Sequence, residues 1–444
     1  MQPKPKDSQG NLFSSKLEQI INNKHPLCEL ARVIDWSEFD KAFGKLYDPG
    51  FGRPAKSTRL MVGLHYLKYS YNLSDEAVVE RWVENPYWQY FCGEEYFEHE
   101  PPIDPTSMTR WRNRIKEAGM ETLLLETIKA GLKTGVLKRH HLKKLAVDTT
   151  VQEKAIAFPT DARLYQKMRL KLVKKAASCR VELRQSYKRV GKRAFVMHHR
   201  YSHARQFKRA GKQLRKLKTY LGRVTRDIER KVARRPELQA EFSELLTLSD
   251  RLLSQERDSK NKLYSIHAPE VHCISKGKAH RRYEFGCKVG LVSPIKDAFI
   301  VGALAFEGGP YDGHTLRDSL TQTLGFLGKD KLDDVYVDEG YRDHGCGDIA
   351  QVHLVKRGWR KLSRSIRKWY SKRSMIEPVV GHCKSDNRLD RNYLKGTEGD
   401  KINAILSACG FNIRKLLRRI LFWPLRIGQI LGFVDQGNLQ LMAA

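Results

Sequence analysis

Apolar and polar positions change period several times along this chain, and each change marks an element. From Ser57 to about Lys138 the spacing is helical, with Leu60, Leu64 and Leu67 on one face. Ser74 and Asp75 follow Leu73 as a cap for a second helix through Val78, Val79 and Trp82. A third helix opens near Thr106 and Ser107 and carries Trp111 and Ile115, with Arg110, Arg112, Arg114 and Lys116, before Gly119. The period then shortens. Leu145 to Thr150 predicts a short apolar strand that delivers Asp148 at its end. Tyr283, Phe285, Cys287, Val289 and Leu291 alternate with smaller or polar residues as a second strand, and the nearly all-apolar run from Ala298 to Leu304 predicts a central one. The turn from Gly308 to Gly313 leads to a helix near His314 and Thr315. Two more strands follow, Val335–Val337 and Val352–Val355.

Between the first two strands lies a long helical insertion. From Arg163 to Arg235 it holds 26 lysines and arginines against 3 acids. A stripe this one-sided needs counterions or phosphate. The expectation is a helical hairpin interrupted near Gly191 and Gly211, with the basic arm on DNA. Pro236 opens a more acidic second arm that packs back or dimerises. The segment from Ile402 to Leu431 is apolar but broken by Arg414, Lys415, Arg418, Arg419, Pro424 and Arg426, and reads as a packed helical tail. The organisation expected is an arm over 1–56, a helical DNA-binding domain over 57–140, a catalytic core over 141–154 and 266–395, a basic insertion over 155–265, and a tail over 396–444.

Charge narrows the partner. A net charge of +32 on 444 residues and a pI near 9.8 imply a polyanion, with double-stranded DNA favoured over a membrane surface or a small-molecule substrate. No run approaches a bilayer-spanning length. The eight cysteines show no metal-site spacing, which fits buried thiols in a reducing cytoplasm.

The candidate chemistry centres on Tyr370 to Lys384, YSKRSMIEPVVGHCK, where Tyr370, Arg373, Glu377 and Lys384 stand at Tyr-x2-Arg-x3-Glu-x6-Lys. On a continuous helix these four fall on one side, and Arg388 and Arg391 extend the stripe. Pro378 strains that reading. Ser374 with Glu377 has capping-box spacing, so a helix that starts there is the alternative. A carboxylate set among phosphate-binding cations points to a metal ligand beside a nucleic-acid backbone. Phosphoryl transfer on DNA is served by two metal ions about 3.5 to 4 Å apart, held by a few carboxylates. Asp148, Asp338 and Glu377 are the candidates. Asp333, Asp334 and Glu339 compete with Asp338. Trp359 and Trp369 are candidate stacking platforms, though packing is the commoner role of such residues, and Asp312 and His314 sit where a neighbour of the site could lie, with turn capping the favoured role.

The motif resembles the signature around the catalytic glutamate of bacterial insertion-sequence DDE transposases, most like the insertion-sequence-five family, and Asp338-x-Gly-Tyr resembles their second catalytic block. The resemblance implies an α/β fold with a ribonuclease H-like core, a mixed five-stranded sheet with helices. It implies two Mg²⁺ ions, with Mn²⁺ substituting, on Asp148, Asp338 and Glu377, and Tyr370, Arg373 and Lys384 on the phosphates of the element ends. The helices carrying Arg110, Arg112 and Arg114 resemble a helix-turn-helix module. The expected activity is recognition of terminal inverted repeats, cutting, and strand transfer, by a homodimer on DNA. The alternatives are a DNA-architectural protein without turnover and a nuclease that cuts without joining.

Overall fold

The computed structural model describes residues 2–3, 14–48, 50–256, 258–260, 262–275, 282–355 and 358–430. The chain divides into two units, residues 1–153 with 287–444, and residues 154–286.

The first unit begins with α1 (Leu17–Ile20), α2 (Pro26–Val33) and α3 (Trp36–Gly44), and Leu27, Leu30, Phe39 and Phe43 from the last two enter the main core. The serine caps set the next two starts. Ser57 Oγ accepts the Leu60 N–H at 3.2 Å ahead of α4 (Thr58–Ser70), and Ser74 Oγ accepts the Ala77 N–H at 3.1 Å ahead of α5 (Asp75–Glu84). After α6 (Pro86–Phe91), α7 (Thr106–Lys133) runs past the expected stop at Gly119. It breaks instead at Lys116, whose φ is 54°, and the Glu398 carboxylate accepts the Glu117 N–H at 2.5 Å, capping the second half.

β1 (Lys144–Glu153) is longer than expected, so Asp148 sits in the middle of the strand rather than at its end. The second unit follows. It contains α8 (Asp161–Ser178), α9 (Lys188–His203), α10 (Phe207–Val232) and α11 (Pro236–Ser254). These are four helices with their own core, not a two-armed hairpin. Leu164, Met168, Leu172, Leu221, Ile228, Phe242 and Leu252 are buried together. The acidic helix α11 packs back, joined by a Lys175–Glu241 ion pair at 2.5 Å and a buried Thr225–Ser249 hydrogen bond at 2.7 Å. Gly191 and Gly211 lie inside helices, and the breaks fall at 179–187 and 204–206. Gly191 is needed for close approach, because a Cβ there would stand 3.0 Å from Arg169 Nε of the buried Arg169 side chain.

β2 (His272–Ser275) pairs antiparallel with the first four residues of β3 (Tyr283–Pro294). Back in the first unit, β4 (Gly302–Phe306) pairs antiparallel with β3. After α12 (Asp312–Leu327) come β5 (Leu332–Asp338) and β6 (Ala350–Val355), both in the parallel part of the sheet. The order is β4–β3–β1–β5–β6, with β2 beside the start of β3, so six strands are described rather than five. The run from Ala298 does not make a central strand. β4 starts only at Gly302 and pairs with β3 alone, and the backbone N–H and C=O of Ile300 are taken by the Asn412 side chain at 2.9 Å each. A side chain from a helix thus satisfies the polar groups that a neighbouring strand would have satisfied.

The chain ends with α13 (Arg364–Lys372), a 3-10 turn (Arg373–Met375), α14 (Ile376–Asp386) and α15 (Gly396–Ile430). The expected tail is a central element. Ile402, Ile405, Leu406, Cys409 and Ile413 are at most 2% exposed, each contributing about 1.5 to 3 kcal/mol by burial if large and apolar. α15 crosses α4 so closely that a Cβ on Gly410 would lie 2.6 Å from Tyr69 backbone. Residues 431–444 of the expected tail lie outside the described residues. Among the described residues no helix is long and apolar enough to cross a membrane.

Candidate active site

The parallel pairing of β1 with β5 sets Lys144 opposite Asp334, Leu145 opposite Val335 and Ala146 opposite Tyr336. Side chains alternate along a strand, so Lys144, Ala146 and Asp148 share a face with Asp334, Tyr336 and Asp338. That face reads in rungs. The first is an ion pair between Lys144 Nζ and the Asp334 carboxylate, and the second an apolar contact of Ala146 and Tyr336. Alternation along the two strands puts Asp148 and Asp338 further along the same sheet face. Asp338 Oδ1 accepts the Gly340 N–H at 3.0 Å, and Thr149 N–H donates to Asp148 Oδ1 at 2.9 Å.

This pairing decides among the neighbouring acids. Asp334 is occupied by Lys144 and by His353 Nε2 at 2.7 Å, while Glu339 pairs with Arg342. Asp312, expected in a turn, faces the acid pair instead. Its Oδ1 accepts from Thr149 Oγ1 at 2.5 Å and from Lys288 Nζ at 2.9 Å. A Cβ on Gly340 would stand 3.0 Å from Asp338 Oδ1 and 3.5 Å from Asp312 Oδ2, so both carboxylates flank that glycine. Gly313 lets the start of α12 come in this far, since any Cβ there would collide with the Arg342 carbonyl oxygen. The buried Tyr341 phenol records the crowding. Burial, then the charges of Asp148, Asp312 and Asp338, push it well above its ordinary range. His314 packs on Tyr311 in the turn. Lys288 was missed because pattern reading gives it only a place in the alternation of β3.

The helix bearing Glu377 covers the same sheet face. Ile376, with Trp369, Tyr370 and Val380, packs on Ala146 and Tyr336. The four motif residues do not share one continuous helix. Tyr370 is in the last turn of α13, Arg373 in the 3-10 turn, Glu377 in the first turn of α14 and Lys384 in its last. Ser374 does not cap α14, because its hydroxyl donates to the Ser371 carbonyl. Pro378 is accommodated in the first turn, where no intrahelical donor is required. Glu377 has a 59% exposed side chain and pairs with Arg373 Nη2 at 3.2 Å. Arg373 Nη1 is buried without a hydrogen-bond partner.

Among the described residues no three His, Cys, Asp or Glu side chains are gathered closely enough to hold a metal ion. Asp148 and Asp338 supply hard carboxylate oxygens on one sheet face, the donor type that fits Mg²⁺.

The expected DNA contacts separate. Four lysines surround the Trp369 ring, Lys144 at 4.9 Å, Lys372 at 5.8 Å, and Lys296 and Lys368 at 5.9 Å. Arg388 and Arg391 lie past the end of α14, not along its stripe, and both stand over the Tyr393 ring. Arg110 and Arg114 are exposed, the latter over Tyr47. Arg112 is not available to DNA. It is 2% exposed and forks onto Asp75 at 2.9 and 2.6 Å, beside Lys68 and His65.

Residues 15–114 match the family described as Transposase domain (DUF772), and residues 350–417, which hold β6, α13, α14 and Glu377, match the Transposase DDE domain. An uncharacterized protein, ORF8 in the nfe locus of Rhizobium meliloti, is 56% identical over 204 residues, 46% of this chain and 98% of that protein. No solved structure matches the chain. With transposase-domain matches over residues 15–114 and 350–417 and a relative covered over 98% of its length, the chain belongs to the bacterial insertion-sequence DDE transposases.

Proposed function

We propose that the chain cuts and joins DNA at the ends of an insertion sequence, using Asp148, Asp338 and Glu377 on a ribonuclease H-like core. The observation that supports this is that Asp148 and Asp338 stand on the same face of two adjacent parallel strands, the face covered by the helix bearing Glu377. The strand order β4–β3–β1–β5–β6 supports the core, with β4 antiparallel to β3, and β5 and β6 parallel to β1. In the same reading, residues 57–140 supply DNA-recognition helices, 141–154 and 266–395 the core, and 155–265 the basic insertion.

Two adjacent carboxylates repel each other in a site of low dielectric, and cations offset that repulsion. Asp148 and Asp338, completed by Glu377, would hold Mg²⁺ or Mn²⁺, which stabilises charge on the attacking and leaving oxygens of phosphodiester chemistry when bound. Lys288 neutralises Asp312, and Asp312 holds the Thr149 hydroxyl, which keeps the strand around Asp148 in place. A DNA phosphate accepting from the buried Nη1 of Arg373 competes with Glu377 for that guanidinium and releases the glutamate toward the aspartates. Lys384 and Tyr370 then hold the backbone, with the lysines around Trp369 beside them. Pairing two element ends calls for a dimer on DNA, in the bacterial cytoplasm at the nucleoid.

Incubating the protein with DNA carrying the inverted repeats that flank its gene, a target plasmid and Mg²⁺ tests the proposal. Cutting with joining is expected. Cutting alone would make it a nuclease. Binding without cutting would favour an architectural role, the reading consistent with an acid trio that is not gathered in the DNA-free chain.

A further inference from the structure

A cleft of about 1020 Å³ lies against the opposite side of α14, and nothing in the proposed chemistry uses it. Its floor is apolar, formed by Met375, Pro378, Val379 and Phe411, and its walls are basic. The two acids that line it are already engaged. Asp297 accepts from His141 Nδ1 at 2.7 Å and from the Lys138 N–H at 2.9 Å, and Asp386 pairs with His382 at 3.0 Å and Arg414 at 3.2 Å. The side chains of Lys138 and Arg418 make no ion pair among the described residues and leave the cleft in excess positive charge. A shallower groove shares Asp386, Arg414 and Arg418 and continues the surface past Asn72 and Tyr71.

Helix geometry separates this cleft from the carboxylates. At about 100° per residue, Pro378, Val379, His382 and Asp386 fall on one side of α14, while Glu377 and Lys384 fall on the other. A helix with its side chains is about 10 to 12 Å across, so the backbone stretch held at Glu377 and Lys384 does not also lie in the cleft.

We propose that this cleft holds the phosphate backbone of a second duplex DNA segment, distinct from the one cut at the carboxylates. Basic walls take the phosphates and the apolar floor takes the sugars. The inference rests on the proposed function only in calling this segment second. Its test reads binding alone and does not depend on cleavage.

The full chain is saturated with a duplex carrying the flanking inverted repeat, and an unrelated fluorescent duplex is then titrated in. In Lys138→Glu/Arg418→Glu the affinity for the unrelated duplex falls at least about tenfold, and inverted-repeat binding stays within about twofold. For the milder Lys138→Gln/Arg418→Gln pair, the log–log salt slope for the unrelated duplex drops by about two. Unfolding midpoints measured alongside verify that both variants fold. Equal loss for both duplexes would assign the cleft to the cut DNA, and unchanged binding of the unrelated duplex would remove DNA from it. Binding of inorganic phosphate or a free nucleotide with no change for DNA would also overturn the proposal.

Discussion

Two arginine–carboxylate clusters in this chain look alike in sequence and differ in how far their hydrogen bonds are satisfied. Around Arg112 the cluster is closed. Its guanidinium forks onto Asp75, Lys68 Nζ bonds the same carboxylate at 2.8 Å, and His65 Nδ1 lies 2.7 Å from the Met61 carbonyl. Around Arg373 the cluster is open, with one buried guanidinium nitrogen unpartnered and Glu377 more than half exposed. A closed cluster holds a fold together. An open one is ready for a ligand, because a buried unmet donor is costly until an anion meets it.

The largest test breaks the open cluster. Glu377→Gln, like Asp148→Asn or Asp338→Asn, is expected to lower strand cleavage by about a thousandfold, the several kcal/mol of charge stabilisation carried by a metal site, with unchanged unfolding and nearly unchanged end binding. Cleavage at the wild-type rate in Glu377→Gln removes that residue from the site. Arg112→Met breaks the closed cluster and leaves Asp75 buried without its fork, so urea unfolding should show a loss of about 3 kcal/mol. A stability within about 0.5 kcal/mol of wild type would mean that the cluster is not closed as described.

Acid sharpens the same contrast. Burial, reinforced by the Arg112 charge, pushes His65 down to about 3, so it stays neutral in the folded chain while the unfolded chain binds a proton below about 6.5. Between those values the unfolded state carries more protons, so stability falls as pH falls. From pH 6.5 to 4.5 the loss should be about 2 kcal/mol by urea unfolding, and His65→Gln should flatten that dependence. Asp75 adds to the loss at lower pH. Burial alone would raise its carboxyl, but Arg112 and Lys68 hold it well below the usual range.

Smaller effects remain on the open side. Arg373→Gln frees Glu377, so Mn²⁺ affinity of the DNA-free protein should rise about tenfold, or 1.4 kcal/mol, and Arg373→Gln/Glu377→Gln should cancel the gain. An equal gain in the double variant would show that only the lost positive charge matters. Neutralising lysines and arginines across α8, α9 and α10 should lower the salt slope of DNA affinity by about one for each phosphate left without its cation. An unaltered slope would mean that those helices face away from DNA.

Local rules in the sequence were enough for the helix start near Ser57, the serine cap at Ser74, the strand around Asp148, the strand ending at Asp338 and the spacing of the motif, because capping and strand periodicity act over a few residues. Locality also explains the misses. Arg112 and Arg110 are indistinguishable by pattern, and only the packing of α7 against α4 and α5 buries one and leaves the other exposed. The apolar run at Ala298 reads as a central strand until Asn412, more than a hundred residues away, takes its backbone hydrogen bonds.

By itself the sequence determined which residue types stand at which spacing, and with them the basic charge, the helix starts and the candidate acids. Tertiary structure alone decided which of those acids meet. The pairing of β1 with β5 puts Asp148 and Asp338 on one sheet face, the close approach allowed by Gly313 brings Asp312 to Thr149, and Glu377 is paired with Arg373. The physical reason is that register and helix packing are settled by burial of apolar faces, so neighbours distant in the chain depend on a balance that no short stretch contains.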